Sequence, residues 1–206
     1  MINRQRQAPT EMERKSFFGA FFKDLLQGVD IAFGEELSAF AEKFPELIRP
    51  PGAGNEQEFL ETCSKCGNCI KACPYFALRP VLMANEFDRG TPTLRAGEAF
   101  CRFCQDFPCI VACPTGALSE QRQDRLQKIG IATVISGSCV RNHGNDCHAC
   151  IDKCDQTGHH AIKVTQQNQE TKPSWLPEVI ADKCCGCGAC LTVCPAYPDL
   201  AISLKR

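Results

Sequence analysis

The sequence has no run of about 18 consecutive apolar residues, which is the length that a membrane-spanning helix requires. Charged residues at Lys23, Asp24 and Asp30 interrupt the one region that is rich in phenylalanine. The 23 Lys and Arg residues form no long basic run and the formal net charge is −1, which disfavours nucleic-acid binding. The sequence also lacks a dinucleotide glycine fingerprint and a nucleophile paired with a base. We therefore expect a protein that does not cross a membrane and is not itself an enzyme.

Residues 13–34 have some features of a twin-arginine export signal but lack its two arginines. Arg14 is followed by Lys15, charges lie inside the apolar segment, and no small-residue cleavage pattern follows. We expect this segment to be retained and the protein to be cytoplasmic. Export to the periplasm by the twin-arginine route is the less favoured alternative.

Cysteine is missing from residues 1–62, whereas residues 63–194 contain all seventeen cysteines. Internal disulfides cannot close an odd number of cysteines completely, so metal-bound thiolates explain this composition better. Pro51, Gly52 and Gly54 separate the two parts of the chain. We predict an arm and linker in residues 1–55 and a cysteine-rich domain in residues 56–206.

Sixteen of the cysteines form an internal repeat of four blocks, in residues 63–73, 101–113, 139–154 and 184–194. The gaps between cysteines are two, two and three residues in the first and last blocks, two, four and three in the second, and seven, two and three in the third. Every block therefore ends in CxxxC. The cysteines are Cys63, Cys66, Cys69 and Cys73; Cys101, Cys104, Cys109 and Cys113; Cys139, Cys147, Cys150 and Cys154; and Cys184, Cys187, Cys190 and Cys194.

This spacing is typical of ligands to iron–sulfur clusters. Three sulfurs from one tight loop cap three irons of a cubane, and in two-cluster ferredoxins the fourth cysteine ligates the other cluster. The blocks should therefore work in pairs, and sixteen thiolates suffice for four [4Fe–4S] clusters. Zinc is the competing metal, but structural zinc sites usually combine two CxxC pairs that are about a dozen or more residues apart. Disulfides between such close cysteines would form strained small rings.

Short β-prone runs flank the last two blocks, and one helical turn fits between the third and fourth cysteine of a block. The runs are residues 131–135, 161–164, 178–180 and 200–204. We predict an α+β fold of tandem bacterial-type 2[4Fe–4S] ferredoxin modules with an N-terminal helical arm.

The arm has an apolar stripe at three- and four-residue steps, which predicts one long or two consecutive amphipathic helices. Three partners for this stripe stay open: the protein's own cysteine domain, a partner subunit or second copy, and a membrane surface. The stripe consists of Phe18, Phe21, Phe22, Leu25, Val29, Ala32, Leu37, Phe40 and Phe44.

Cys185 is the seventeenth cysteine, because Cys184 alone gives the two-two-three spacing with the later cysteines of its block. We interpret Cys185 as a small, half-buried side chain, with an alternative ligand or a redox-responsive thiol as the other interpretations. Histidine can replace cysteine at an iron–sulfur centre, but sixteen cysteines leave no ligand position open. We therefore expect solvated loop residues at His143, His148, His159 and His160.

Four stretches of the sequence resemble the NapG/MauM type of four-cluster ferredoxin: residues 49–78, 90–118, 139–154 and 176–195. The seven-residue gap in CVRNHGNDCHACIDKC, the third stretch, makes the resemblance specific. The resemblance implies an electron-transfer protein that serves a larger redox enzyme and has no catalytic centre of its own.

Similarity to four-cluster electron-transfer subunits further implies that the first block pairs with the fourth and the second with the third. One cluster would be held by Cys63, Cys66, Cys69 and Cys194, and its mate by Cys184, Cys187, Cys190 and Cys73. The inner two would be held by Cys101, Cys104, Cys109 and Cys154, and by Cys139, Cys147, Cys150 and Cys113.

The resemblance also bears on the partners, which we expect to be a catalytic oxidoreductase subunit and a second electron carrier. NapG-type proteins carry a twin-arginine leader, so its expected absence favours a cytoplasmic tungsten or molybdenum enzyme, such as an aldehyde oxidoreductase. The alternatives are a periplasmic nitrate reductase or quinol-oxidising pathway, and an assembly module that its clusters hold together. Self-association through the arm is a further option.

Overall fold

The computed structural model describes residues 46–82, 85–169, 172–196 and 199–206. The predicted arm helices, in residues 18–44, lie outside these ranges, and the arm stays a prediction. In the part of the chain that is described, no helix has the length and hydrophobicity needed to span a bilayer.

Glu46–Arg206 form one compact unit. Residues 46–55, which are predicted to form the linker, belong to this unit. Ile48 and Ala53 are both buried in its core, so this segment packs with the cysteine domain.

Short helices and two-stranded antiparallel sheets make up the described chain, as predicted for a mixed α+β protein. The α-helices are α1 (Glu56–Thr62), α2 (Asn68–Ala72), α3 (Pro108–Val111), α4 (Gln123–Gln127) and α5 (Ala149–Gln156). The strands are β1 (Leu78–Pro80), β2 (Pro92–Leu94), β3 (Ile131–Val134), β4 (Ile162–Gln169), β5 (Lys172–Val179) and β6 (Ile202–Lys205). The 3₁₀ turns described are Ser136–Ser138, Val140–His143 and Ala189–Val193.

All four β-prone runs predicted around the last two blocks overlap strands, namely β3, β4, β5 and β6. The predicted helical turns are also found, although the last block forms a 3₁₀ turn instead of an α-helix. Helix α1 was not predicted. It begins where the Asn55 side chain accepts a hydrogen bond from the Glu58 backbone amide at 2.9 Å, and Glu56 and Glu58 favour its N-terminus electrostatically.

Each half of the domain contains two cysteine blocks. In each half, the segment before the two blocks pairs with the segment after them. In residues 46–127, Ala53 forms an antiparallel bridge with Leu118. In residues 129–206, β3 pairs with β6, and Ala132 lies opposite Leu204. These pairings bring the first two blocks together in one half and the last two blocks together in the other.

Apolar packing joins the two halves. The larger core combines Ile48 and Leu94 from the first half with Ile129, Leu191 and Leu204 from the second. A smaller core lies within the first half, around the fully buried Phe59. The two halves therefore share a core and are not independent domains.

A buried arginine anchors the start of the domain. Arg49 is 1% exposed and forms ion pairs with Glu56 and with Asp88, the latter at 2.6 Å. Its guanidinium also donates to the Thr91 hydroxyl at 2.7 Å and lies 4.9 Å from the centre of the Phe59 ring. The side chain thus ties α1 to the loop between β1 and β2.

We expect Arg49→Met to destabilise the holoprotein by about 3 kcal/mol, because the change leaves the largely buried Asp88 carboxylate without its ion-pair partner. The matched control is Arg79→Met, since Arg79 pairs with Glu98 and both side chains are about half exposed. That change should cost less than about 1 kcal/mol. Anaerobic guanidinium denaturation, followed by visible absorbance, measures both, and equal midpoints for the two variants would contradict the expectation.

Candidate metal centres

The sixteen block cysteines lie in four groups of four, and each group lines its own cavity. Three members of a group come from one block and the fourth comes from a neighbouring block. Group 1 is Cys63, Cys66, Cys69 and Cys113; group 2 is Cys101, Cys104, Cys109 and Cys73. Group 3 is Cys139, Cys147, Cys150 and Cys194; group 4 is Cys184, Cys187, Cys190 and Cys154, with Cys185 in the same cavity.

This grouping corrects the partition that the resemblance implies. Cys113 completes group 1 in place of Cys194, and Cys194 instead completes group 3. Cys73 joins the second block and Cys154 joins the fourth. The reason is local packing: α2 packs against α3, and α5 packs against the 3₁₀ turn of the last block. The fourth cysteine near the end of each helical turn therefore reaches the loop of the adjacent block.

The spacing within the groups fits a cluster better than a single ion. Among the described residues, one set of three side chains has ligand atoms close enough together to bind a single ion. This set is His159, Cys185 and Cys187. The four groups are wider, and their cavities have volumes of 310 to 380 Å³, open mouths included. A zinc ion holds its sulfurs at only about 2.3 Å, whereas a cubane places four irons between its ligands.

In each of the first three blocks, a backbone amide donates a hydrogen bond to the sulfur of the fourth cysteine. The donors lie four to seven residues after the cysteine, where the chain leaves its helix. N–H donors to ligating sulfurs reduce their negative charge and raise the potential of a bound cluster. The pairs are Ala77 to Cys73 at 3.4 Å, Leu118 to Cys113 at 3.4 Å, and Ala161 to Cys154 at 3.3 Å.

Family models match two parts of the chain. A 4Fe-4S dicluster domain matches residues 62–117, which span the first two blocks, and a 4Fe-4S binding domain matches residues 181–197, which span the last. The dicluster match agrees with the first half of the domain being one unit.

Curated relatives match most of the chain. The ferredoxin-type protein NapG of Escherichia coli (strain K12) is 34% identical over 167 residues, covering 77% of this chain and 72% of the relative. The methylamine utilization ferredoxin-type protein MauM of Methylorubrum extorquens is 38% identical over 173 residues, covering 81% of this chain and 78% of the relative. This chain belongs to the NapG/MauM family. The resemblance predicted from the sequence is confirmed.

As a NapG/MauM protein, the chain is a ferredoxin-type iron–sulfur protein that transfers electrons and does not catalyse a reaction of its own. A solved formate dehydrogenase–heterodisulfide reductase–formylmethanofuran dehydrogenase complex from Methanospirillum hungatei is 21% identical, covering 81% of this chain and 55% of that chain. Its TM-score of 0.28 is too low to indicate a shared fold.

Gly186 is the tightest position in the candidate metal loops of this NapG/MauM protein. It lies between Cys185 and Cys187 with a φ of +74°, and a Cβ there would lie 2.5 Å from the backbone nitrogen of Gly130. Glycine therefore lets the last block press against the start of β3, where the Ala132 amide donates to Cys184 Sγ at 3.4 Å.

We expect Gly186→Ala to remove the irons of group 4, which are about four per chain, because the new Cβ overlaps the Gly130 backbone. Gly158→Ala is the matched control, since Gly158 has a φ of +81° but nothing within 4 Å of an added Cβ. It should cost only the backbone strain of about 1–2 kcal/mol and keep its iron. Iron analysis and circular dichroism of both variants test this, and full iron content in Gly186→Ala would contradict it.

Burial controls the acidity of the thiols before iron is inserted. It raises the pKa of Cys69 and Cys101 to about 12 and that of Cys109 to about 11. Cys187 differs, because a hydrogen bond from Cys185 lowers its pKa to about 7. The thiols of Cys69, Cys101 and Cys109 are therefore protonated at neutral pH, and iron binding must release their protons.

Cys185 lies deeper than the sequence analysis predicts, since only 8% of it is exposed. Its Sγ lies 3.3 Å from Nε2 of His159. Phe103 packs edge-on to the His159 ring, with the ring centres 6.4 Å apart. Spacing alone gave no indication of this contact, because His159 follows the third block and Cys185 lies in the fourth.

The prediction of solvated histidines is therefore wrong for His159, which is half-buried against Cys185. The prediction is confirmed for His143, His148 and His160, all of which are exposed. Two of the exposed rings contact carboxylates, with His148 near Asp146 and His160 near Asp155.

Groups 2 and 4 meet where the two halves of the domain join. The Cys101 amide donates to the Cys187 carbonyl at 2.9 Å, and Phe103 packs against Cys185 and Cys187. Three cysteines of group 1 instead pack in the core around Phe59, and Cys139 and Cys194 of group 3 pack in a small separate core. Groups 1 and 2 each take their fourth cysteine from the other's block, and so do groups 3 and 4, so the groups are connected in the order 1, 2, 4, 3.

Proposed function

We propose that this protein relays single electrons through four [4Fe–4S] clusters, held by two tandem ferredoxin modules, between a larger oxidoreductase and a second carrier. The observation that carries the proposal is the separation of sixteen cysteines into four groups, each lining its own cavity. A bound [4Fe–4S] cluster supplies one-electron redox chemistry. Four cysteines in every group would leave no open iron for a substrate, which suits a carrier.

The connection order of the groups supports a relay with two ends. Groups 2 and 4 adjoin through the Cys101–Cys187 hydrogen bond, and the block cysteines of group 4 are all buried. Cys66 of group 1 is exposed, whereas its neighbour Cys69 is buried. We infer that group 1 is the end that a redox partner reaches, and that group 4 lies on the internal part of the route.

The direct test is chemical analysis of full-length protein purified without oxygen. We expect about sixteen irons and about sixteen sulfides per chain. Reductive titration should take up about one electron for each of the four groups, with electron paramagnetic resonance (EPR) signals of several interacting clusters. Zinc in place of iron, or iron sufficient for only two clusters, would contradict the four-cluster proposal.

For the partner, we propose a cytoplasmic tungsten or molybdenum enzyme such as an aldehyde oxidoreductase, together with a second carrier. The sequence of residues 13–34 supports this choice over a periplasmic nitrate reductase or a quinol-oxidising pathway. Anaerobic affinity purification from the native cell, with identification of the associated chains, distinguishes these partners. Cell fractionation tests the cytoplasmic location, and recovery of the protein from the periplasm would contradict it.

A further inference from the structure

The cavity of group 4 contains one sulfur more than a cubane needs. Cys185 and Cys187 both line this cavity, together with His159. The ligand atoms of these three residues all lie within 4.8 Å of one another. The cavities of the other three groups are lined by four cysteines each, so this surplus distinguishes group 4.

Hydrogen bonds hold the backbone on either side of the surplus thiol, and its side chain borders the cavity of group 4. The Ile129 amide donates to the Cys185 carbonyl at 2.9 Å, and the Cys101 amide donates to the Cys187 carbonyl at 2.9 Å. Rotation about one side-chain torsion moves a cysteine sulfur by about 3 Å between staggered positions. The two sulfurs lie within 4.8 Å of each other, so a rotation of this size can bring the Cys185 sulfur towards the place of the Cys187 sulfur without a backbone shift.

We propose that Cys185 is a reserve ligand for the iron that Cys187 holds in group 4. His159 keeps it in reserve, because its Nε2 lies 3.3 Å from the Cys185 sulfur. If Cys187 were lost, the Cys185 sulfur would bind the iron that Cys187 leaves open and the thiol proton would go to His159, with no transfer of electrons. The buried position of Cys185, behind Phe100 and Phe103, keeps it from other reagents until then. This inference rests on the proposed function.

The experiment compares iron content in full-length variants purified without oxygen. We expect Cys187→Ala to keep the iron content of the unmodified protein, because Cys185 replaces the missing ligand. The matched control is Cys104→Ala, since Cys104 is likewise the second cysteine of its block but has Phe103 and Gln105 as neighbours. This control should lose between one and about four irons and show the EPR signal of a three-iron cluster when oxidised.

The double variant Cys185→Ala/Cys187→Ala should lose as much iron as the control. Full iron content in the double variant would identify a different replacement ligand and overturn the inference. Iron loss in Cys187→Ala equal to that in Cys104→Ala would also overturn it, as would an insoluble Cys187→Ala beside a soluble Cys104→Ala. Fewer than about sixteen irons in the unmodified protein would instead count against the proposed function.

Discussion

Removal of iron should abolish the cooperative thermal transition of the domain in residues 46–206. The described α-helices have four to eight residues, and isolated helices shorter than about 12–15 residues are marginal in water. The sheets have two strands each, and isolated hairpins are marginal as well. Without iron, the chain would also have to keep four open cavities lined with thiols.

The size of this effect follows from comparing the free energy of metal binding with the stability of a domain. Structural metal sites contribute on the order of 10 kcal/mol each in small zinc peptides, whereas whole domains are stable by only about 5–15 kcal/mol. The loss of the four proposed metal centres would therefore exceed the stability of an ordinary domain. The measurement is circular dichroism during heating, before and after anaerobic chelation, with iron and sulfide added back as the control. A cooperative melt of the metal-free protein near the original temperature would refute the expectation.

The candidate ligands were predictable from sequence because their signature is local. Two- and three-residue gaps place sulfurs on one loop whatever the rest of the chain does, and short β-prone runs gave β3 and β6 for the same reason. Strand β4 extends beyond the predicted run through the polar residues 165–169. Pairing with β5 stabilises this extension, and no apolar alternation indicated it.

The partition of the ligands depends on contacts between distant residues, so it could not be predicted from the spacing. Cys113 reaches group 1 because α2 packs on α3, and the gaps within a block say nothing about which block lies beside it. The contact between His159 and Cys185 likewise joins residues that are distant in the sequence. The buried ion pairs of Arg49 connect it with Glu56 and with Asp88 across the chain, and no motif marks them.

Iron counts in combined variants should show which blocks share a group. The starting point is the triple variant Cys63→Ala/Cys66→Ala/Cys69→Ala, which removes three ligands of group 1 and should lose at least about four irons. Addition of Cys113→Ala should cause no further loss, because Cys113 lines the cavity that is already empty of iron. Addition of Cys194→Ala should remove between one and about four further irons, because Cys194 lines the cavity of group 3.

Addition of Cys113→Ala or of Cys194→Ala to the triple variant gives two quadruple variants. The comparison between them remains valid if the triple variant is partly unfolded. If the loss of group 1 also weakens group 2, both quadruple variants inherit that loss, and the difference between them still reports on group 3 alone. Pairing of the first block with the fourth predicts the reverse result, in which Cys194→Ala is silent and Cys113→Ala removes iron. Iron and sulfide analysis of the three variants, prepared in parallel without oxygen, therefore separates the two partitions. The silent substitution identifies the cysteine that shares a group with Cys63, Cys66 and Cys69.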